Sequence, residues 1–369
     1  MSNLILNNSP ALTWTWLRMN KARIEDDLNS SIDFSNAEYN IISKPESVKI
    51  IDLKDFSTKL KTPLSAVFNK TSELGIQYKS VEEENVTELS AKDTLVIQAS
   101  KKETDPIVIN VKAKGNTASN QIIHALSGSE VKVILISESE NDEGVNLIRT
   151  KCYAEQDSKI HICKVQLLKN GYYHIDSTEN VCGENATVVY TELQLGAKSV
   201  YTGSYTDLSD YKASYKSDTA YFRKGEQKID MNYVCCHNHQ GKKSNCSMSV
   251  AGTLKEDAAK IYRGTIDFKK GCCGAKGNEI EETLLLSPKA VNRSIPMILC
   301  DEEDVEGEHG ATIGRLNDDM LFYMQTRGIP KNEAERMISR AKIIQVANLI
   351  DHACTMAQIE DYLDKEAGL

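Results

Sequence analysis

The feature that most constrains the fold is a long stretch of period-two alternation, from about Thr94 to Ile298, with no convincing amphipathic helix inside it. Residues 246–250 read Cys-Ser-Met-Ser-Val and alternate apolar with small polar residues, as a half-buried strand requires. Further strand-like runs are 131–136, 160–168, 187–195, 213–222, 229–234 and 261–268. A doubly wound sheet needs crossover helices, so the pattern favours a sandwich, a barrel or a β-solenoid.

The segment before this stretch has a different character. Leu53, Phe56 and Leu60 recur at helical spacing until Pro63 interrupts them, so we expect mixed and partly helical structure that docks on or caps the strands. The sequence therefore predicts three parts, namely residues 1–93 (mixed and helical), 94–314 (the strand core) and 315–369 (helical).

The C-terminal part carries helix boundaries. Asn317 is the predicted N-cap of a helix that Gly328 and Pro330 end. Asn332 and Glu335 resemble a capping box for a second helix. One side of that helix would carry Met337, Ile338, Ala341 and Ile344. We expect both helices to pack on the end of the strand core.

Composition narrows the class of protein. A net charge of -9 and a pI near 5.4 argue against nucleic acid as a main partner. No uninterrupted apolar run approaches the roughly 18 residues that a membrane span needs, and the N-terminus lacks the pattern of a signal peptide. Ten cysteines are too sparse for a disulfide scaffold, so we expect a reducing cytosol.

Two segments mimic known binding motifs without matching them. Residues 235–239, Cys-Cys-His-Asn-His, together with Cys246 offer metal ligands, but they lack the Cys-x-x-Cys spacing of a structural zinc site. If alternate residues share a strand face, Cys235 is most simply a small core residue and Cys236 points the other way. Residues 271–277 contain Gly and Lys but not the Gly-Lys-Ser/Thr ending of a phosphate-binding loop, so we exclude nucleotide binding by this chain.

The acidic run that begins at Cys300 and reaches His309 is the strongest candidate for chemistry. Thiolate, carboxylate and imidazole groups are all close in sequence, so one metal ion could in principle bind Cys300 and His309. The preceding Ile298 and Leu299 favour a buried strand end for Cys300, which makes His309 the better candidate. A histidine among acidic residues is also a common solvated surface feature.

Several blocks, in order, resemble the SufB/SufD family of iron-sulfur cluster assembly scaffolds. They are Tyr-Arg-Gly-Thr-Ile-Asp-Phe-Lys-Lys-Gly from Tyr262, Leu-Leu-Leu-Ser-Pro from Leu284, His-Gly-Ala-Thr-Ile-Gly from His309, and Leu-Phe-Tyr-Met-Gln-Thr-Arg-Gly-Ile from Leu321. The resemblance spans roughly residues 130–350, with a weaker echo at residues 13–17.

The resemblance implies a right-handed parallel β-helix for residues 94–314 and a non-enzymatic scaffold role. It implies a SufB-like partner at the far end of the β-helix and a SufC-type ABC ATPase, which hydrolyses ATP, at the C-terminal helices. His309 would be the local ligand of a transient iron-sulfur cluster shared with the SufB-like chain. The implied ATPase-binding residues are Leu316, Met320, Leu321, Phe322, Tyr323, Met337 and Ile338.

Departures from the family pattern favour SufD over SufB. The cysteine that SufB proteins carry before the Leu-Leu run is absent, and Glu281 lies near that place. Some SufD proteins carry a cysteine two residues before the histidine, where this chain has Gly307. Two alternatives remain. One is a β-helix enzyme acting on polysaccharide, which would need a carboxylate pair. The other is a homo-oligomer that replaces SufB, against which the missing cysteine argues. The sequence leaves open whether the isolated chain forms a homodimer.

Overall fold

The computed structural model describes residues 4–13, 19–24, 34–51 and 94–369. The predicted helical stripe at Leu53, Phe56 and Leu60 lies outside these ranges, as do four residues of the 13–17 block. Within them the chain is mainly β-structure followed by C-terminal helices.

Apart from an antiparallel pair at the start of the chain, the strands form two sheets, and along most of the chain they alternate between these sheets. The first strands are β1 Leu4–Leu6, β2 Ala22–Ile24, β3 Ser35–Asn36, β4 Glu38–Ser43, β5 Val48–Ile51, β6 Leu95–Ala99 and β7 Ile107–Ala113. The middle strands are β8 Thr117–Ala125, β9 Glu130–Ser139, β10 Glu143–Ala154, β11 Lys159–Gln166, β12 Gly171–Cys182, β13 Thr187–Gln194 and β14 Ser199–Leu208. The last strands are β15 Ser214–Arg223, β16 Lys228–His237, β17 Asn245–Leu254, β18 Ala259–Phe268, β19 Ala275–Leu285, β20 Val291–Cys300 and β21 Val305–Gly314. Sheet 1 has the order β20-β18-β16-β14-β12-β10-β8-β6-β5, with β3 beside β8, and sheet 2 has the order β21-β19-β17-β15-β13-β11-β9-β7-β4.

Successive strands of each sheet from β6 and β7 onward pair in parallel, one coil apart. Cα partners lie 26 residues apart where Ile107 meets Val133, and 32 apart where Ala259 meets Val291. Every coil therefore contributes one strand to each sheet, which makes a β-solenoid of about eight turns. The predicted β-helix core is confirmed. At the N-terminal end, β4 and β5 pair antiparallel with β7 and β6.

Alternate residues of each strand point into the solenoid and form one continuous core. On β16, for example, Met231, Tyr233 and Cys235 face inward with the apolar core, whereas Cys236 lies in a separate outer cluster with Tyr205. The expected opposite orientation of the two neighbouring cysteines is therefore confirmed. β-Branched and aromatic side chains dominate this interior, because each coil buries its inward residues against the coils above and below.

The C-terminal helices are α1 Asp318–Thr326, α2 Lys331–Ala347 and α3 Ala353–Tyr362, with a 3₁₀ turn at Asn348–Ile350 and a π-helical turn at Leu363–Ala367. α2 packs on β13, β15 and β17, and not on the end of the core as we expected. The reason lies in sheet 2, whose outer face carries apolar side chains such as Val165 and Phe222 that require a cover. None of the helices in the described ranges is both long and apolar enough for a membrane span.

The helix boundaries test the capping predictions. Asn317 caps α1 by accepting a hydrogen bond from the backbone N–H of Asp319 at 2.8 Å, and Gly328 follows the helix with φ +84°, both as predicted. The capping box at Asn332 was wrong, because Pro330 is the N-cap and Asn332 already lies inside α2. The predicted apolar side of α2 was only partly right, because Ile344 packs against the apolar cluster on sheet 2 whereas Met337 and Ala341 are exposed.

The buried residues of α2 show which side of the helix contacts sheet 2. They are Ala334, Ser339, Ile343, Val346 and Ala347. Met337 and Ala341 are exposed, because the side of α2 that contacts sheet 2 is the one that continues to the buried Ile350 in the following turn.

The described N-terminal residues brace the outside of sheet 1. Asn7 donates hydrogen bonds to the backbone oxygen (3.0 Å) and the side chain (2.7 Å) of Asp230, which also forms a buried ion pair with Arg263 at 2.6 Å. Met19 packs on Ile295 of the last coil. This segment therefore links the start of the chain to the terminal coils of the solenoid.

Candidate functional site at the open end of the solenoid

The last coil, formed by β20 and β21, is followed by no further coil in the described chain. β21 is consequently the edge of sheet 2, and its residues from Glu306 to Ile313 are all exposed. The matching residues of β19, one coil below, alternate between buried and accessible. An edge of this kind presents unpaired backbone N–H and C=O groups that another strand can satisfy.

His309 occupies an inward-facing position of this terminal strand. Its Cα partner on β19 is Glu279, which is only 2% exposed, and residues in parallel register point to the same side. His309 is exposed because no coil covers it. The imidazole therefore stands at the mouth of the solenoid interior, where a partner chain can reach it.

Below His309 the interior is polar. Burial raises the pKa of Glu279 to about 7 and lowers the pKa of Lys260 to about 8. Lys260 forms a buried ion pair with Glu281, which also accepts a hydrogen bond from Ser294 Oγ at 2.9 Å. Glu281 is thus a structural partner of a buried lysine at the place where the resemblance puts the SufB cysteine.

Cys300 lies at the rim of the same open end. It is exposed, which contradicts the expected buried strand end, because the terminal coil leaves it uncovered. A cleft of about 600 Å³ there is lined by Phe268, Ile298, Cys300, Asp301, Glu302, Glu303, Val305 and Gly307. Gly307, at the position where some SufD proteins carry cysteine, faces this cleft, and a Cβ there would lie 3.0 Å from Cε2 of Phe268.

The acidic side chains beside Cys300 are partly committed to the turn. Glu302 accepts hydrogen bonds from the backbone N–H groups of Gly271 (2.8 Å) and Glu303 (3.0 Å). These hydrogen bonds lower the pKa of the Glu302 carboxyl, and the bond from Gly271 has the largest effect. Gly271 has φ +107°, and a Cβ there would lie 2.6 Å from the carbonyl oxygen of His239. Glu302 is therefore a capping group of the turn.

The structure does not place Cys300 and His309 in one ligand cluster. Across the described ranges, the group of His, Cys, Asp and Glu side chains that meets at ligating distance is Cys235, His237 and Cys246. Cys300 ends its strand next to the turn into β21, and His309 lies four residues beyond Val305, about 13 Å along that strand. The two are separate donors at one open end.

The Cys235, His237 and Cys246 group is the feature that spacing in the sequence concealed. Cys235 is a core residue, as predicted, but its neighbours in space are His237, two residues on, and Cys246 on the next strand. All three are buried. The alternation of inward-facing residues on β16 and β17 was visible in the sequence. Predicting that the three side chains meet also required the length of the turn between the two strands.

Most of the other cysteines are buried and protonated. Burial raises the pKa of Cys152, Cys163 and Cys236 to about 12, which leaves them as unreactive thiols near pH 7. Cys300 and Cys354 are exposed, and all ten cysteines are unpaired.

The predicted ATPase-binding residues lie on a surface that the solenoid does not cover. α1 has no buried residue and packs on α2. Its side chains Met320, Phe322 and Tyr323 are 52%, 68% and 59% exposed, and Met337 of α2 is 46% exposed. Leu316, Leu321 and Ile338 are half-buried. Large apolar side chains exposed together typically mark an interaction site.

Comparison with known proteins identifies the family. The family model described as "SUF system FeS cluster assembly, SufBD core domain" matches residues 108–342. The chain is 36% identical over 110 residues to iron-sulfur cluster assembly protein SufD of Bacillus subtilis. The aligned region covers 30% of this chain and 25% of the relative. It is 26% identical over 214 residues to SufD of Plasmodium berghei, covering 57% and 16% of the two chains. It is 26% identical over 182 residues to SufB of Bacillus subtilis, covering 47% and 37%.

These matches span little more than a third of each relative at most, so they identify the shared core and not a whole protein's activity. The core is the solenoid itself together with α1 and most of α2. The match agrees with the sequence blocks that indicated a SufD-like chain. The chain therefore belongs to the SufBD family of the SUF iron-sulfur cluster assembly system.

Proposed function

We propose that this chain is a non-enzymatic, SufD-like scaffold subunit that builds and transfers iron-sulfur clusters together with a SufB-like chain. The observation that supports this proposal is the open terminal coil, where an exposed edge strand presents His309 at the mouth of a polar interior. A partner solenoid that continues the two sheets would cover this edge and enclose the imidazole. Imidazole suits iron, and the cluster is then a cargo shared between the chains.

The same proposal gives Cys300 a secondary place. Its thiol is exposed at the rim of the cleft, where Sγ donates a hydrogen bond to the backbone oxygen of Glu302 at 3.0 Å. Because the strand positions of Cys300 and His309 are separated, the partner would supply the remaining ligands. Ten unpaired thiols suit a reducing compartment such as the cytosol.

A SufC-type ABC ATPase would bind the helical surface. Its docking site is the apolar group Met320, Phe322 and Tyr323 with Met337. α2 is fixed to sheet 2, so a force applied at these helices reaches the solenoid directly. ATP hydrolysis by the partner would then move the two scaffold chains and open or close the shared interface.

The test is anaerobic co-expression of this chain with a SufB-type chain and a SufC-type ATPase from the same source, followed by measurement of the mass that co-purifies. A complex of all three is expected. His309→Ala should retain the complex and lose most cluster formation, whereas His239→Ala, an exposed histidine on another coil, should retain both. The proposal would be overturned if the chain binds neither partner, or if His309→Ala forms clusters normally.

Among the described residues, the acidic run that could supply carboxylates for the polysaccharide-active alternative lies at the end of the solenoid and not on its flank. The paired carboxylates Glu279 and Glu281 are buried inside the solenoid, and Glu281 is bound to Lys260. A glycosidase requires its two carboxyl groups on either side of an accessible sugar.

A further inference from the structure

The buried side chains of Cys235, His237 and Cys246 converge on one point inside the solenoid. Cys235 and His237 face inward from the end of β16, and Cys246 faces inward from the start of β17. One ligand atom from each residue lies within 4.8 Å of the others. Their exposed fractions are 0%, 0% and 1%. Two thiols and an imidazole thus meet in a region closed to solvent.

The imidazole is held in the tautomer that a metal ion requires. Ser244 Oγ donates its proton to the backbone oxygen of Gly241 at 2.5 Å, so the same oxygen accepts from Nδ1–H of His237 at 2.6 Å. Nε2 therefore carries the lone pair. Among the described residues it has no hydrogen-bond partner. A buried polar atom without a partner destabilises the folded chain, and a bound ion would offset this cost.

This arrangement is typical of the outer contacts of metal sites. A ligating histidine usually donates its second nitrogen to a nearby oxygen, which fixes both ring orientation and tautomer. Here the turn between β16 and β17, residues 238–244, supplies that oxygen and also closes the distance between Cys235 and Cys246.

An aromatic layer separates the cluster from the terminal cleft. Phe268, the Cα partner of His237, stacks on the imidazole with ring centroids 4.6 Å apart and an angle of 18°. Over Cys246 the next position is Gly277, where a Cβ would lie 2.6 Å from Cγ2 of Ile266. The following partner of Phe268 is Cys300, at the cleft. The cluster therefore lies one layer below the open end.

We propose that Cys235, His237 and Cys246 bind one thiophilic divalent metal ion of the Zn²⁺ class, with Phe268 as the barrier between this ion and the terminal cleft. Two sulfur ligands and one imidazole suit such an ion and exclude Mg²⁺ and Ca²⁺, which require oxygen ligands. The proposal is independent of the cluster-assembly role.

Charge balance selects a divalent ion. Binding releases the two thiol protons to solvent, and a divalent ion with two thiolates and a neutral imidazole has no net charge. A monovalent ion at the same site would leave one negative charge in the apolar core, which is costly. The neighbouring core residues Phe268 and Ile266 are uncharged.

Cobalt is a suitable probe, because Co²⁺ replaces Zn²⁺ and its thiolate bonds absorb light. The full chain, freed of metal with a chelator under reductant, is titrated with Co²⁺ and then with Zn²⁺. We expect one Co²⁺ per chain with thiolate-to-cobalt absorption, which Zn²⁺ displaces. Cys235→Ala and Cys246→Ala should each lose this signal, whereas Cys152→Ala, an equally buried core cysteine outside the group, should retain it.

Two further variants keep the test decisive if a cysteine variant folds poorly. Ser244→Ala leaves all three ligands in place and should weaken binding about 10- to 100-fold, the usual effect of losing an outer contact. Phe268→Ala should keep the stoichiometry and speed removal of the ion by a chelator. Circular dichroism establishes that each variant is folded.

Two results would overturn the proposal. The first is equal cobalt absorption in the wild-type chain and in Cys235→Ala or Cys246→Ala, which would assign the signal to other thiols. The second is a folded, reduced chain that binds no Co²⁺, whether or not a Cys235–Cys246 disulfide forms when reductant is withdrawn.

Discussion

Glu279 lies directly beneath His309 in the same inward-facing column, as its partner in the parallel ladder of β19 and β21. One of the two side chains is buried and the other exposed, although they occupy equivalent positions one coil apart. The difference comes entirely from the missing next coil. A partner that supplies this coil would therefore change the surroundings of His309 while leaving those of Glu279 largely unchanged.

The buried carboxyl of Glu279 makes stability depend on pH. Its pKa is raised to about 7 in the folded chain from an ordinary value of 4.5, so the folded state holds a proton that the unfolded state has lost between these pH values. Stability should therefore fall as pH rises from about 4.5 to 7 and level off above. Glu279→Gln should remove this slope, a difference on the order of 2–3 kcal/mol.

Denaturant unfolding at pH 5 and pH 8 measures the effect of Glu279→Gln. Glu308→Gln, an exposed carboxylate on β21, is the matched control and should keep the wild-type slope. An unchanged pH slope in Glu279→Gln would show that another group is responsible.

The N-cap of α1 should control that helix without affecting the solenoid. Asn317→Ala removes the hydrogen bond to Asp319 N–H and should cost about 1 kcal/mol of local helix stability. Because α1 buries no residue, the melting temperature of the whole chain should change little. Hydrogen exchange should show faster exchange confined to α1. A large fall in melting temperature would contradict this picture.

The exposed apolar side chains of α1 should matter for binding and not for folding. Met320→Ser with Phe322→Ser removes two side chains that are more than half exposed, so unfolding free energy should change by less than about 0.5 kcal/mol. Binding to a SufC-type ATPase, measured by calorimetry, should weaken at least about tenfold. Ile42→Ser, equally exposed on β4, is the control and should bind normally. Normal binding by the double variant would exclude this surface.

Gly252 leaves room for the ring of Tyr221 to pack on β17. A Cβ there would lie 2.4 Å from the ring of Tyr221, whose hydroxyl is hydrogen-bonded to Thr283 at 2.9 Å and cannot easily move. Gly252→Ala should destabilise the chain by about 1–3 kcal/mol in denaturant unfolding. Gly310→Ala, where nothing lies within 4 Å of the new Cβ, should not. Equal stability of the two variants would show that the ring has room to shift.

The sequence predicted the kind of core but missed several of its strands. The strands β10, β12 and β14 were not predicted, because most of β12 is buried on both faces and therefore shows no alternation. Their outer faces pack in a cluster with Leu6 and Ala22 from the N-terminal segment, a contact that local pattern cannot reveal. The coil length also varies between 26 and 32 residues, which hid the repeat.

The candidate sites were predicted unequally, for a physical reason. His309 could be selected from the sequence because its block resembles a family motif. The Cys235, His237 and Cys246 group could not, since its members meet only after the turn of residues 238–244 reverses the chain. Local rules predicted the cap at Asn317, but they failed for α2, where the apolar face of sheet 2 decides which side of the helix is buried.

The antiparallel pairing of β4 and β5 at the first coils has a consequence for stoichiometry. Among the described strands, β20 and β21 end the run of parallel pairs at one end of the solenoid, and β4 and β5 pair antiparallel with β7 and β6 at the other. A second copy related by a two-fold axis would pair with this edge antiparallel and would present its own β4 and β5 end outward. The two ends of the described solenoid therefore differ, and a pair of chains joined at the edge of β20 and β21 would not offer the same contact again at its outer ends.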